Sequence, residues 1–274
     1  MPRDTSTAAR REKLAALVSE RGFLRVTDAG ELLGVSEVTV RGDLTALERD
    51  LVVVRTHGGA MPRSAVPREP TFEQAVTVDA ESKRAIGELA ASLVSSGQSV
   101  ILDVGSTALA VAHALVRRTD LHDVAIITNG LSIALALEEG MPRFTVVVTG
   151  GTLRPLQHSL VNPSASGFFD SVHADIAFIG CNGIDPDNGV TNINFPEAEI
   201  KRRMIQAAAH RVLIADRSKL GRAHLGVIGA VGDFHRLVTG GDGSSAVLTQ
   251  LRAAGLDVLI ADDGRSDSSA GGQE

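Results

Sequence analysis

Tryptophan and tyrosine are absent from this 274-residue chain, and cysteine occurs once, at Cys181. A single thiol forms no intrachain disulfide and builds no cysteine-based metal site, so no metal and no cofactor is expected. Without tryptophan and tyrosine the chain lacks the platforms on which single-stranded nucleic acid usually stacks, which leaves the duplex as the nucleic-acid form to consider. No apolar run is long enough to span a bilayer and no signal-type segment stands near Met1, so no membrane partner is expected and the chain reads as cytoplasmic. Positive charge is not in excess. The chain carries 27 Lys and Arg against 33 Asp and Glu, a net charge of -6. Its first 61 residues hold nine of each sign. Bulk attraction to DNA is thereby excluded, and any DNA contact must come from placed charges and repeated geometry.

What is present begins at Ser36. Val40, Leu44, Leu47 and Leu51 recur at intervals of four, three and four, which predicts a helix over Ser36–Leu51 with one buried face. The opposite face carries Glu37, Thr39, Arg41 and Thr45, side chains able to reach base edges or phosphates in a major groove. Gly34 and Val35 precede it as a turn, and Ser36 suits the N-cap. Upstream, Arg10–Arg21 reads as an amphipathic helix and Leu24–Leu33 as a second, shorter one. Downstream, the apolar run Val52–Val54 ends in Arg55, Thr56, His57, Gly58 and Gly59. Three helices, a turn and such a run describe a winged helix-turn-helix at residues 10–61, with Ser36, Glu37, Thr39, Arg41, Thr45, Arg55 and His57 as candidate DNA contacts. A three-helix unit also serves as an interaction or dimerisation module, and spacing alone leaves both readings open.

A chain of this length suits two unequal domains. Residues 1–9 and 262–274 are small and polar and are expected to be disordered tails, and the Pro-rich 62–80 stretch is expected to be a linker. Over 81–261, seven β-rich runs alternate with amphipathic patterns: Ser99–Val104, Val124–Thr128, Thr145–Thr149, Ile176–Ile179, Val212–Ala215, Leu237–Thr239 and Val258–Ile260. That alternation predicts an α/β domain with a mostly parallel sheet covered on both faces.

In such sheets ligands gather outside the carboxyl ends of the strands. The strand ending at Val104 runs into Gly105, Ser106 and Thr107 and then a helix, the parts of a phosphate cradle; Ser-Thr at that point is equally good capping chemistry. Asp103 lies just inside the strand end, suited either to the ligand or to the loop's own N–H groups. Thr128 and Asn129, Gly150 and Gly151, and Gly180 end other strands, where they also suit ordinary turns. Asp216, Ser218 and Lys219 follow another strand end as a charged turn.

Two sets of strings identify the chain as resembling the DeoR family of bacterial transcription regulators. VSEVTVRGDLTALE (Val35–Glu48) and VRTHGGAM (Val54–Met61) resemble its recognition helix and wing. DVGSTA (Asp103–Ala108), TNG (Thr128–Gly130), GGTLRP (Gly150–Pro155), ADIAFIGCNGID (Ala174–Asp185), EAEIKRRMI (Glu197–Ile205) and ADRSKLG (Ala215–Gly221) resemble its effector domain, similar in fold to the ribose-5-phosphate isomerase and CoA-transferase superfamily. Gly42 stands where the family usually carries a second arginine, and Asp50 where it usually has glycine. The resemblance implies a regulator, most often a repressor of a sugar or polyol catabolic operon. Such a regulator is a homodimer or homotetramer on double-stranded operator DNA, its affinity controlled by a phosphorylated sugar. By position, Ser106 and Thr107 would hold phosphate and Asp175 and Lys219 would meet sugar hydroxyls or phosphate. Glu197 is the nearest match to an isomerase carboxylate. Lys201, one helical turn beyond it, reads equally as an i,i+4 surface partner of Glu197. The alternative is a phosphosugar isomerase-like enzyme with an accessory helix-turn-helix, its base drawn from Glu197, Asp185 or Asp187.

Overall fold

A computed structural model describes residues 7–21, 23–50, 52–56, 58–62, 69–162, 164–241 and 243–263. The chain forms two compact units, Met1–Glu69 and Pro70–Glu274.

The first unit contains α1 (Thr7–Arg21), β1 (Leu24–Arg25), α2 (Val26–Leu33), α3 (Glu37–Arg49), β2 (Val53–Thr56) and β3 (Gly59–Pro62), its strands ordered β1-β3-β2 in an antiparallel sheet. This is a winged helix-turn-helix. Leu14 and Val18 of α1 pack on Val40, Leu44 and Leu47 of α3 and on Leu24 and Val53, the face that the heptad-like spacing marks out. Each such side chain is worth about 1.5–3 kcal/mol when fully buried. Two expectations need correction. Leu24 and Arg25 are not helical; they pair with Ala60 and Gly59. A Cβ on Gly59 would lie 2.5 Å from the Leu24 carbonyl oxygen, so glycine is what lets the two strands meet. Thr7–Ala9, expected in a disordered tail, form the first turn of α1, while residues 1–6 and 264–274 of the tails lie outside the described residues. His57 and Leu51 also lie outside them.

The second unit opens with α4 (Phe72–Thr77) and α5 (Ala80–Ala91). The 62–80 stretch is therefore not one linker: Pro62 ends β3, and a capping box between Thr71 and Gln74 starts α4, a helix too short to show periodicity. Then follow β4 (Ser99–Leu102), α6 (Ser106–Arg117), β5 (Val124–Thr128), α7 (Leu131–Glu138), β6 (Phe144–Val148), β7 (Thr152–Arg154), β8 (Ser159–Val161), α8 (Ser164–Phe168) and β9 (Ala174–Ile179). The remainder is β10 (Gly183–Asp185), β11 (Gly189–Asn192), α9 (Phe195–Gln206), β12 (Ala208–Ile214), β13 (Gly226–Gly229), β14 (Arg236–Gly240), α10 (Ala246–Ala253) and β15 (Asp257–Ala261).

Seven strands form one sheet in the order β15-β14-β12-β9-β4-β5-β6, every pair parallel. Alternate residues serve opposite faces. Val100, Leu102, Ile176, Phe178, Val212 and Ile214 pack under α5, α6 and α7, whereas Ile101, Ala177, Ile179 and Leu213 pack with α9 and α10. The order places a crossover beside β4. From β4 the chain winds outward to β5 and β6, then returns to β9 on the other flank and winds outward again. The loops leaving β4 and β9 part at that point and leave a crevice at the carboxyl ends.

Candidate functional site

In the first unit, Ser36 caps α3 by accepting from Thr39 N (3.2 Å), and its hydroxyl lies 2.9 Å from Thr39 Oγ1. Glu37 and Arg41 pair at 2.8 Å across one exposed turn. Thr45 Oγ1 donates to the Arg41 carbonyl at 2.8 Å, and Arg55 Nη1 of β2 donates to Thr45 Oγ1 at 2.8 Å. The Arg55 N–H is taken by Glu48 Oε1 (3.2 Å). Six of the seven expected DNA contacts thus share one surface of α3 and the wing. The reading from sequence missed Val38, 76 % exposed on α3, an apolar side chain of the kind that meets a thymine methyl. Behind this surface, the buried Asp43 accepts from Arg10 Nε (2.6 Å) and Arg11 Nε (3.0 Å), fastening α1 to α3. Burial pushes the Asp43 carboxyl up, but the two guanidinium groups outweigh it and hold it below the usual carboxylate range.

In the second unit the crevice begins at Gly105, whose φ of +112° is glycine's to adopt. Gly105 is the N-cap of the 12-residue α6, and no side chain caps that helix. Ser106 and Thr107 are its first-turn residues rather than its cap, and they stand half-buried beside N–H groups at the positive end of the helix dipole. Ser106 lines a cavity of about 250 Å³ with Lys83, Arg84 and His113. Lys83, unmarked by any motif, is buried and gives its Nζ to the carbonyls of Ala75 (2.6 Å) and Val78 (2.5 Å). Burial pulls it below the usual lysine range, with Asp216 opposing and Lys219 reinforcing the shift.

Asp103, fully buried, accepts from Gly180 N (2.8 Å) and from Lys201 Nζ, and Lys201 also donates to the Gly180 carbonyl (3.1 Å). The ends of β4 and β9 are thereby tied to the middle of α9. Burial works against the charge on Lys201, yet Asp103 and Glu197 outweigh it and hold the ammonium above its usual range as one half of an ion pair. Lys201 is not a surface partner of Glu197. Glu197, also buried, accepts Arg154 Nη1 (2.9 Å) and Ser159 Oγ (2.6 Å) on one oxygen and Asn192 Nδ2 (3.3 Å) on the other. With both oxygens engaged, it organises the crevice wall and is poorly placed as a general base.

Thr128 Oγ1 accepts from Gly130 N (3.0 Å), a turn contact, while Asn129 gives its Nδ2 to the Leu160 carbonyl (3.0 Å). The buried atoms Asn129 Oδ1 and Thr149 Oγ1 have no hydrogen-bond partner among the described residues, which suits a polar ligand at these strand ends. Gly150 and Gly151 lie at the outer strand β6; a Cβ on Gly151 would meet the Val161 carbonyl oxygen at 2.8 Å, so this glycine serves hairpin packing. Lys219 stays half-exposed, 4.0 Å from Asp216, in the turn after β12. Asp175 does not belong to the crevice. It is the second residue of β9, about 16 Å from Gly180 at strand rise, and accepts from Ser99 N and Oγ, both at 2.7 Å. Those bonds hold its carboxyl below the usual range. Asp185 Oδ1 accepts from the backbone of Asp187 and Asn188 and from Asn188 Nδ2, which makes it the organiser of the β10–β11 turn. Among the described residues no cluster of three or more His, Cys, Asp or Glu side chains could hold a metal ion, and no helix is long and apolar enough to cross a membrane.

Comparison with known proteins resolves what this pairing of units is. Residues 10–65 match the DeoR-like helix-turn-helix domain, and residues 78–241 match the DeoR C terminal sensor domain. The chain belongs to the DeoR family. The HTH-type transcriptional regulator GlpR of Haloferax volcanii is 34 % identical over 92 % of this chain and 97 % of its own length. The HTH-type transcriptional repressor CsqR of Escherichia coli is 32 % identical, covering 92 % and 94 %. The glycerol-3-phosphate regulon repressor of Escherichia coli is 30 % identical, covering 81 % and 86 %. This DeoR-family protein is accordingly a transcriptional regulator and not an enzyme, and the isomerase alternative falls. Among solved structures, ribose 5-phosphate isomerase from Plasmodium falciparum is similar at a TM-score of 0.36 and 18 % identity over 50 % of this chain and 51 % of that one. A likeness of that size says nothing about chemistry.

Proposed function

We propose that this DeoR-family regulator represses a sugar or polyol catabolic operon in the cytoplasm and that a phosphorylated sugar, bound in the β4–β9 crevice, changes its affinity for operator DNA. The observation that carries the reading is the uncapped N-terminus of α6, with Ser106 and Thr107 in its first turn; Ser106 also lines a cavity with the buried Lys83. Backbone N–H groups, two hydroxyls and a cation are what a phosphate ester requires, and the partnerless Asn129 Oδ1 accepts a hydroxyl donor of the kind a sugar offers. The regulator needs no cofactor in this reading. One helix-turn-helix reads few bases, so the working form is a homodimer or homotetramer on repeated half-sites. Effector control follows if the sugar phosphate binds the DNA-competent and DNA-incompetent forms unequally.

The test is a thermal-shift screen of the full chain against phosphorylated sugars and their unphosphorylated counterparts. A phosphorylated compound at a hundred times its dissociation constant stabilises the protein by about 2.7 kcal/mol. If sugars shift the melt equally with and without phosphate, the cradle assignment fails.

A further inference from the structure

We propose that the β7–β8 hairpin, residues 152–161, is the element that passes the state of the crevice to residues 70–78, through which the sensor unit continues into the chain of the DNA-reading unit. The inference rests on the crevice being the effector site. Its basis is that one ten-residue element is bonded on one side to crevice groups and on the other to that segment.

On the crevice side, Ser159 Oγ and Arg154 Nη1 both bind Glu197. Leu160 N donates to the Asn129 carbonyl (2.7 Å) and its own carbonyl accepts Asn129 Nδ2. The His158 carbonyl accepts Leu131 N (2.9 Å), and its Nδ1 lies 2.6 Å from Ser132 Oγ. On the far side, Gln157 Nε2 donates to the Pro70 carbonyl (2.7 Å), His158 Nε2 lies 3.2 Å from Glu73 Oε1, and the His158 and Phe72 rings sit 5.0 Å apart. His158 is the hinge of this arrangement. It holds φ at +52°, a left-handed conformation costly to a residue with a Cβ, and contacts on both flanks hold it there. An element kept in a costly conformation by bonds on two sides is suited to two-state behaviour, because weakening either side favours the relaxed backbone.

The other end of the segment is fastened independently. Lys83 Nζ binds the Ala75 and Val78 carbonyls, and Lys83 shares its cavity with Ser106. Both fastenings of residues 70–78 therefore lead back to groups of the crevice. A ligand that bonds to Asn129 or displaces Glu197 acts on the hairpin, and one that draws the Lys83 ammonium acts on the second clamp.

Hydrogen exchange of the full chain tests this without any ligand. In Ser159→Ala, and in the volume-conserving Glu197→Gln, amide exchange over 70–78 should accelerate at least fivefold while exchange over 246–253 in α10 stays at the wild-type rate. Either variant, folded by the α10 criterion, that leaves 70–78 at the wild-type rate overturns the proposal. In a second arm, ribose 5-phosphate is the probe: it should alter exchange over both 152–161 and 70–78 in the wild type, and in Gln157→Ala with His158→Ala the response over 70–74, the part the hairpin touches, should be lost while that over 152–161 persists. A response at 70–74 undiminished in that double variant also overturns the proposal. If ribose 5-phosphate changes nothing near Ser106 while the first arm succeeds, the transmission route stands, ribose 5-phosphate is not the effector, and the sugar-phosphate reading is decided by the thermal-shift screen.

Discussion

Arg55 on the wing donates to Thr45 on the reading helix across 2.8 Å, and through Thr45 the contact continues to the Arg41 carbonyl. Helix and wing thus present one polar surface, with the Arg41 guanidinium drawn toward Glu37. On DNA, Arg41 would exchange that exposed i,i+4 pair, worth only a few tenths of a kcal/mol, for a base or phosphate. Arg41→Ala and Thr39→Ala should each weaken specific operator binding by about tenfold or more, the scale of one lost base contact, without changing oligomer mass. Fluorescence anisotropy with operator and scrambled duplexes, beside sedimentation, measures both. Binding unaffected in Arg41→Ala would make the unit a dimerisation module.

At the cradle, Ser106→Ala with Thr107→Ala removes two hydroxyl donors but keeps the uncapped helix end. DNA binding should persist at wild-type affinity, while the response to a phosphorylated sugar falls by an order of magnitude or more. A normal response in the double variant would place the effector elsewhere.

Lys201 and Asp103 form a buried pair, and breaking such a pair strands a charge. Lys201→Met should cost about 3–5 kcal/mol in denaturant unfolding of the sensor unit. Adding Asp103→Leu should recover much of that loss, since no charge is then left unpaired. A double variant as unstable as Lys201→Met would show that the Asp103 bond to Gly180 N, rather than the pair itself, holds the two strand ends together.

Asp43 gives the DNA-reading unit a pH signature. Its folded carboxyl lies below the reference value of 3.8, because Arg10 and Arg11 outweigh the effect of burial. A depressed carboxylate contributes stability that is fully present above its unfolded value and lost as pH falls through the folded one. Asp43→Asn should therefore unfold more readily than wild type at neutral pH, by about 1–3 kcal/mol, with the gap closing only below pH 3.8. Circular dichroism melts from pH 7 to pH 2 would show it. A gap that narrows between pH 7 and 5 would assign the effect to some other group.

All seven parallel strands overlap the apolar β-rich runs of the sequence, because the central ones are buried on both faces and so mark themselves, while the partly exposed pair His210 and Arg211 in β12 breaks the run and hides its first half. The antiparallel additions left no such trace. β7, β8, β10, β11 and β13 span three or four residues each, too short for periodicity to show, and β10, β11 and β13 carry Gly, Thr and Asn beside the single core residues Ile184, Val190 and Ile228. The strand-to-helix turn at Gly105–Thr107 was legible because glycine and hydroxyls directly after an apolar run mark a helix start. The ion pair behind it was not: Asp103 and Lys201 are 98 residues apart, and only the adjacency of β4 and β9, with α9 packed on them, makes them partners. Asp175 was misplaced for a different reason. Asp175 precedes the apolar run Ile176–Ile179, so it stands at the amino end of its strand, beside Ser99, where the resemblance by position had set it against the sugar. Lys83 carried no signal, since a lysine early in an amphipathic helix reads as solvated.

Gly42 offers the sharpest departure from the family pattern to test. It lies in the middle of α3, exposed, and a Cβ there would meet nothing within 4 Å. Gly42→Ala should therefore stabilise the DNA-reading unit by about 1 kcal/mol, with no steric penalty to subtract. Operator affinity should change little, since alanine adds no donor. Gly42→Arg differs: it restores the second arginine after Arg41 that the family usually carries, on the exposed face of the helix. If that face lies against the backbone of the duplex, the variant gains one phosphate contact per protomer, and the slope of log affinity against log salt steepens by about one for each. Titrations of both variants between 50 and 200 mM salt (roughly the range over which such contacts show) separate the two effects. A Gly42→Arg protein that binds with the wild-type slope would turn this face of α3 away from the phosphates and leave recognition to the turn nearer Ser36 and Thr39.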